Sequence, residues 1–148
     1  MIRAIYNEGH SPVEQFAQRF FMEQSYPGCI VRKEGMTLVV DFGIEDPDYA
    51  TKYRLRIWYR SQREHKLFII KPKIAPSPAI HMYSDGSLCL YYPPDISPLR
   101  RLWIHKDLMP MAALWVCHYE QWLVNGHIWK GREAPGHQQL LERLGIVN

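Results

Sequence analysis

Residues 52 to 60 (KYRLRIWYR) alternate between apolar and mostly basic side chains. Because successive side chains of a β-strand point to opposite faces, this period of two predicts a strand with one buried and one solvated face. Single-stranded nucleic acid or an acidic protein surface is the alternative to solvent on the basic face. The predicted buried residues are Tyr53, Leu55, Ile57 and Tyr59, and those of the basic face are Lys52, Arg54, Arg56, Trp58 and Arg60.

Three further runs, at residues 29–33, 37–44 and 66–71, have strand-like composition. The short loop Glu34-Gly35-Met36 joins the first two and is typical of a hairpin. Short connections favour neighbouring antiparallel strands. Together with residues 52–60, these runs therefore predict a four-stranded antiparallel meander.

One helix is predicted before the meander and others after it. Pro12 suits the first turn of an N-terminal helix, which Tyr26-Pro27-Gly28 ends. A long helix is predicted over residues 108–124, with Asp107 as its cap, and a short final helix over residues 137–144. The apolar face of the first helix is expected to pack on the sheet, with a partner groove as the alternative. Its residues are Val13, Phe16, Ala17, Phe20 and Phe21.

The size and composition of the chain predict a single α+β domain over residues 1–148. Three widely spaced cysteines, Cys29, Cys89 and Cys117, argue against a disulfide framework and for the reducing cytoplasm. No apolar run approaches the roughly 18 residues of a membrane span, and the N-terminus lacks a signal-peptide layout. The formal net charge of +3 gives no reason to expect a nucleic-acid partner.

Residues 80–94 (IHMYSDGSLCLYYPP) carry the most distinctive chemistry of the chain. Asp85-Gly86 predicts a tight turn, because Gly tolerates positive φ and Asp can bond its own backbone. The turn would fold His81 back toward Cys89, and the leucines on both sides would hold the thiol at a fixed place on the surface. A buried cysteine in a short strand is the alternative, since free cysteines are often buried.

The run from His81 to Leu90 resembles the active-site segment of ubiquitin-conjugating enzymes. That family has a His-Pro-Asn tripeptide, a Tyr-Pro-x-Gly-like turn, and then the thioester-forming Cys followed by Leu. The Pro and Asn are absent here. The later run WVCHYEQWL at residues 115–123, then Gly126, WKGRE at residues 129–133 and His137, resembles a bacterial branch. There, a conjugating-like domain is encoded in anti-phage (CBASS) operons with cyclic-oligonucleotide synthases similar to the animal DNA sensor cGAS.

The resemblance implies a ubiquitin-conjugating-enzyme-like fold: an N-terminal helix, a four-stranded antiparallel meander, an active-site Cys segment and a long C-terminal helix. It also implies acyl transfer without a cofactor or metal. Cys89 would take a protein C-terminus as a thioester and pass it to an amine or another acceptor. The implied acyl group is the C-terminus of the cGAS-like nucleotidyltransferase. A separate activating enzyme is a further candidate partner.

The same resemblance suggests roles around Cys89. The family assigns its Asn to the oxyanion of the tetrahedral intermediate, which needs a hydrogen-bond donor. His81 is the candidate to replace that Asn, as a donor or as the group that fixes the loop. Asp85 and Asp95 are candidates for orienting and desolvating an incoming lysine, although the turn alone is a sufficient explanation for Asp85.

Three other functions compete with acyl transfer. The missing Asn favours an inactive conjugating-like module that binds and regulates the cyclase, and the retained Leu-Cys-Leu setting opposes it. A cysteine hydrolase would pair Cys89 with His81 and an acidic third member. A zinc site is disfavoured because no pair of candidate ligands has the usual close spacing. Those candidates are His81, Cys89, Cys117, His118, His127 and His137.

Overall fold

The computed structural model describes residues 12–91, 96–97 and 100–130 of the chain. Within them, one helix precedes a four-stranded antiparallel sheet and another helix follows it, which gives an α+β architecture. The elements are α1 (Pro12–Ser25), β1 (Ile30–Glu34), β2 (Thr37–Ile44), β3 (Tyr53–Ser61), β4 (Glu64–Lys71), a 3₁₀ turn (Pro78–Ile80), a π-helical turn (Ile104–Leu108) and α2 (Met109–Val124). The final helix predicted over residues 137–144 lies outside the described residues.

The sheet is the meander that the strand-like runs predict, in the order β1-β2-β3-β4. All three neighbouring pairs are antiparallel. The alternation in β3 is also confirmed, because Tyr53, Leu55, Ile57 and Tyr59 are all buried.

The outer face of the sheet is less cationic than its sequence suggests. Asp41 on β2 accepts hydrogen bonds from Arg56 at 2.6 Å and from Arg32 at 2.7 Å. The hydrogen bond from Arg56 is the main cause that lowers the pKa of Asp41 below its ordinary value. Asp41 therefore stays ionised near neutral pH and offsets part of the charge of this face.

Helix α2 supplies much of the core. The predicted apolar face is largely buried: Ala112, Trp115 and Val116 are each at most 1% exposed, whereas Leu123 near the end of the helix is 38% exposed. The predicted cap is wrong, because Asp107 accepts a hydrogen bond from the Trp103 amide at 2.7 Å and so closes the preceding π-helical turn. In the described part of the chain, no helix is both long and apolar enough to cross a bilayer.

The expected packing of α1 is wrong. Its phenylalanine face points outward: Val13, Phe16 and Phe20 are 70%, 72% and 47% exposed. The opposite face of the helix is buried, and it consists of Glu14, Gln15, Gln18 and Met22.

Buried backbone groups that need a hydrogen-bond partner explain why the polar face of α1, and not the phenylalanine face, packs inward. Gln18 donates to the carbonyl of Leu102 at 3.0 Å and accepts from the amide of Ile104 at 2.9 Å. Gln15 likewise donates to the carbonyl of Met36 at 2.6 Å. A buried backbone group without a partner costs about 1–3 kcal/mol, so amide side chains suit this face better than phenylalanine does.

Candidate active site

A tight β-hairpin positions Cys89. The amide of Cys89 donates to the carbonyl of His81 at 2.8 Å, and the amide of Tyr83 donates to the carbonyl of Ser87 at 2.8 Å. Gly86 closes the turn with a φ of +89°, which a residue without Cβ adopts readily. The Asp-Gly turn thus forms where the sequence predicts it, and it places His81 opposite Cys89.

Leucines on both sides of Cys89 fix the hairpin to the core. Leu88 and Leu90 are buried, and the amide of Leu88 donates to the carbonyl of Leu67 on β4 at 2.8 Å. Met82, paired with Leu88 across the hairpin, is buried as well. Cys89 itself is partly exposed. The interpretation of Cys89 as a sealed core residue is therefore wrong, because only its neighbours are buried.

Tyr83 lies beside Cys89 on the hairpin. Hydrogen bonding with Cys89 is the main cause that raises the pKa of Tyr83 to about 12, and the Cys89 thiol itself donates to the carbonyl of Tyr91 at 3.9 Å. Sequence reasoning missed this residue. The signal was its position two residues after His81, which puts Tyr83 on the same hairpin face as Cys89.

His81 is held by its backbone and by a neighbouring ring. It ends the 3₁₀ turn with a φ of +56°, and its amide donates to the carbonyl of Pro78 at 3.1 Å. Its ring centroid lies 5.0 Å from that of Trp129. Burial, followed by the nearby His118, lowers the pKa of His81 below its ordinary value. His81 is therefore neutral near pH 7.

The carboxylate of Asp85 has several partners in the turn. It accepts from the amide and hydroxyl of Ser87 at 2.9 and 2.6 Å, and from the Lys66 ammonium at 2.6 Å. The bond from Lys66 is the main cause that lowers the pKa of Asp85. These contacts account for Asp85 as a turn residue, and its role toward a lysine substrate stays a prediction. Asp95 lies outside the described residues.

An aromatic cluster joins α2 to the cysteine hairpin. Trp129 lies 5.8 Å from Trp115 and 5.5 Å from His118 between ring centroids, besides its contact with His81. The indole of Trp115 donates to the carbonyl of Ile80 at 2.9 Å. The two tracts on which the family resemblance was drawn therefore pack against each other.

The candidate metal ligands do not come together in the described part of the chain. No three His, Cys, Asp or Glu side chains there form a group that could hold a metal ion. Cys117 instead accepts a hydrogen bond from the Gln121 amide at 3.8 Å, and after burial it is the next cause that raises the pKa of Tyr49. The candidate ligand His137 lies outside the described residues.

A second feature is an exposed aromatic surface on α1. We call Val13, Phe16, Phe20, Phe21 and Trp103 the α1 aromatic surface. The ring of Phe21 lies 5.1 Å from that of Trp103, and the Arg101 guanidinium sits 3.9 Å above the Trp103 ring. Contiguous exposed apolar groups with a polar rim are typical of protein-interaction sites.

The comparisons with known proteins fit this arrangement. The model of the E2-CBASS family, described as the type II CBASS E2 protein, matches residues 18–138, which include the cysteine hairpin and α2. No curated protein and no solved structure gives a significant match. Because the family match covers most of the 148 residues, the chain belongs to the family of type II CBASS E2 proteins, which serve bacterial antiviral defence.

Proposed function

We propose that this protein is an acyl carrier with a ubiquitin-conjugating-like fold, in which Cys89 holds a protein C-terminus as a thioester. The observation that carries the proposal is the partial exposure of Cys89 between two buried leucines. A thiol held in this way is accessible to a large partner and keeps a fixed position. Membership of the E2-CBASS family supports the same reaction class.

Each candidate residue has a role in this proposal. The Cys89 thiolate attacks the incoming acyl group, because thiolates are strong acyl nucleophiles. His81 fixes the loop through its backbone bonds and its contact with Trp129. Asp85 and Asp95 remain candidates for receiving an acceptor lysine.

The proposed acyl group is the C-terminus of a cGAS-like nucleotidyltransferase encoded with this protein. A separate activating partner would deliver it, and the α1 aromatic surface suits the docking of that partner. Phe16 and Phe20 on this surface are exposed without contributing to the core. Lys106, exposed three residues after Trp103, would favour a partner with acidic residues around its apolar contact, whereas Arg101 already pairs with Glu14 at 3.0 Å.

An inactive binding module is the alternative. The α1 aromatic surface favours it, because regulation of the cyclase by binding alone would need that surface and no thiol chemistry. A Cys89→Ala protein that supports phage defence as well as the wild type does would establish the binding module.

The test is non-reducing electrophoresis of the protein co-expressed with its neighbouring cyclase and any activating protein of the operon. We expect a conjugate that disappears on thiol treatment and is absent in Cys89→Ala. Cys29→Ala and Cys117→Ala are matched controls that should retain the conjugate. Loss of the conjugate in a control but not in Cys89→Ala would place the chemistry elsewhere, and its absence under every activating condition would favour the binding module.

A further inference from the structure

The hairpin places a hydroxyl beside the proposed nucleophile. His81 and Cys89 face each other across the two strands, and Tyr83 pairs with Ser87 two residues nearer the turn. Tyr83 is therefore the diagonal neighbour of Cys89 on one face. Diagonal neighbours in antiparallel pairs lie within reach of long aromatic side chains, and the interaction with Cys89 that raises the pKa of Tyr83 agrees with this placement.

A cleft lies beside Tyr83, on the side of the hairpin that carries Leu88 and Leu90. A cleft of about 170 Å³ lies between β4 and the hairpin, and Tyr83 and Tyr91 form part of its wall. Leu88 and Leu90, the two neighbours of Cys89, line it too. Since Tyr83 is 49% exposed, an incoming group can approach it without displacing the core.

We propose that the Tyr83 hydroxyl donates the hydrogen bond that stabilises the oxyanion formed when Cys89 is acylated, an inference that rests on the proposed acyl-carrier function. The family pattern assigns this task to an Asn that is absent here. Tyr83 is then a catalytic residue, because its hydroxyl contacts the carbonyl oxygen that develops charge.

The proposed step is an acyl exchange between two sulfurs. The Cys89 thiolate forms a C–S bond to the carbonyl carbon of the donor thioester, and the C=O π electrons move to oxygen. Tyr83 donates its O–H to this oxyanion without transferring the proton. The C=O bond then re-forms, the donor C–S bond breaks, and the donor sulfur leaves as a thiolate.

The donor hydroxyl keeps its proton during this step. Tyr83 ionises only near pH 12 in this environment, so it is a donor throughout the physiological range. The ring of His81, by contrast, packs on Trp129. His81 is therefore the positioning residue of the loop, and Tyr83 is the hydrogen-bond donor to the oxyanion.

The test compares two reactions of Cys89 in the full-length protein. The first is acylation by a glycine-terminated peptide thioester of mercaptoethanesulfonate, followed by intact-protein mass spectrometry with Cys89→Ala as background. The second is alkylation by iodoacetamide, which displaces iodide and forms no oxyanion. Both rates are followed with pH to the plateau where the thiol is fully ionised, in wild type, in Tyr83→Phe and in the matched control Tyr26→Phe.

We expect Tyr83→Phe to lower the plateau acylation rate by roughly 100-fold, the usual loss for one oxyanion donor, with an unchanged plateau alkylation rate. Tyr26→Phe should match the wild type in both reactions. A parallel loss in both reactions would overturn the proposal, because Tyr83 would then only position the thiol. Unchanged acylation in Tyr83→Phe would overturn it and leave the acyl-carrier function standing, and a wild type that is not acylated above background would overturn both.

Discussion

Gln18 donates a hydrogen bond to the carbonyl of Leu102 at 3.0 Å, across 84 residues of sequence. Through this bond and its partner to the Ile104 amide, α1 holds the segment that follows the cysteine hairpin. The polar face of the helix thus anchors this segment by hydrogen bonds, and the phenylalanine face remains exposed. This relationship links the stability of the protein to the surface proposed for its partner.

The hydrogen bonds of Gln18 predict that Gln18→Leu is destabilising, although it replaces a buried polar residue by an apolar one. The amide of Ile104 would lose its buried partner, and the carbonyl of Leu102 would keep the bond from Gln62 at 2.8 Å but lose the one from Gln18. We expect the free energy of unfolding in urea to fall by about 2 kcal/mol or more. Gln24→Leu, on the exposed side of the same helix, is the matched control and should have little effect. Equal free energies of unfolding for the two variants would contradict a stabilising role of Gln18.

The exposed phenylalanines predict the opposite behaviour. Phe16→Ser and Phe20→Ser should change the free energy of unfolding by no more than about 0.5 kcal/mol, as is usual for surface positions. The same variants should lose the partner-dependent conjugate on non-reducing gels. Met22→Ser, which alters the fully buried methionine of α1, should lower stability instead. A Phe16→Ser protein as unstable as Met22→Ser would show that this face is core.

The sequence predicts some elements well for identifiable reasons. Strand β3 has an apolar side that can only face inward, so the period of two determines its orientation. Helix α1 has two candidate inner faces, and periodicity carries no information about the loop carbonyls that Gln18 must satisfy. Cys89 was found through family resemblance and its turn. Tyr83 was missed because its contact with Cys89 depends on hairpin register, which becomes evident only when the strands are paired.

The bond from Trp115 to Ile80 predicts a local effect on the cysteine hairpin. Trp115→Phe keeps an aromatic ring in the core but removes the donor that holds the carbonyl of Ile80 at 2.9 Å. We expect faster amide hydrogen exchange at Met82 and Cys89. Trp122→Phe, whose ring stacks on His127 at 4.0 Å away from this bond, should leave these amides unchanged. Exchange as slow as in the wild type would mean that the bond does not stabilise the hairpin.

Stability should depend on pH through His65. Its ring is hydrogen-bonded to the Tyr91 hydroxyl at 2.7 Å, and burial lowers the pKa of His65 below its ordinary value. The unfolded chain therefore binds the proton more readily, so stability present above the ordinary value near pH 6.5 is lost as pH falls below it. The thermal midpoint should drop as the solution is acidified through this range, and less so in His65→Phe. Identical pH dependence in both proteins would exclude His65 as a source.

The central claim is that Cys89 carries an acyl group, and Cys89→Ser tests it most directly. Serine in place of the thiol converts a labile thioester into an oxygen ester that withstands thiols but not hydroxide. Co-expressed with the operon partners, Cys89→Ser should accumulate a thiol-resistant conjugate. Mass spectrometry should locate the partner C-terminus on the peptide that contains position 89. A conjugate attached at another residue, or none in this variant and in the wild type alike, would contradict the account.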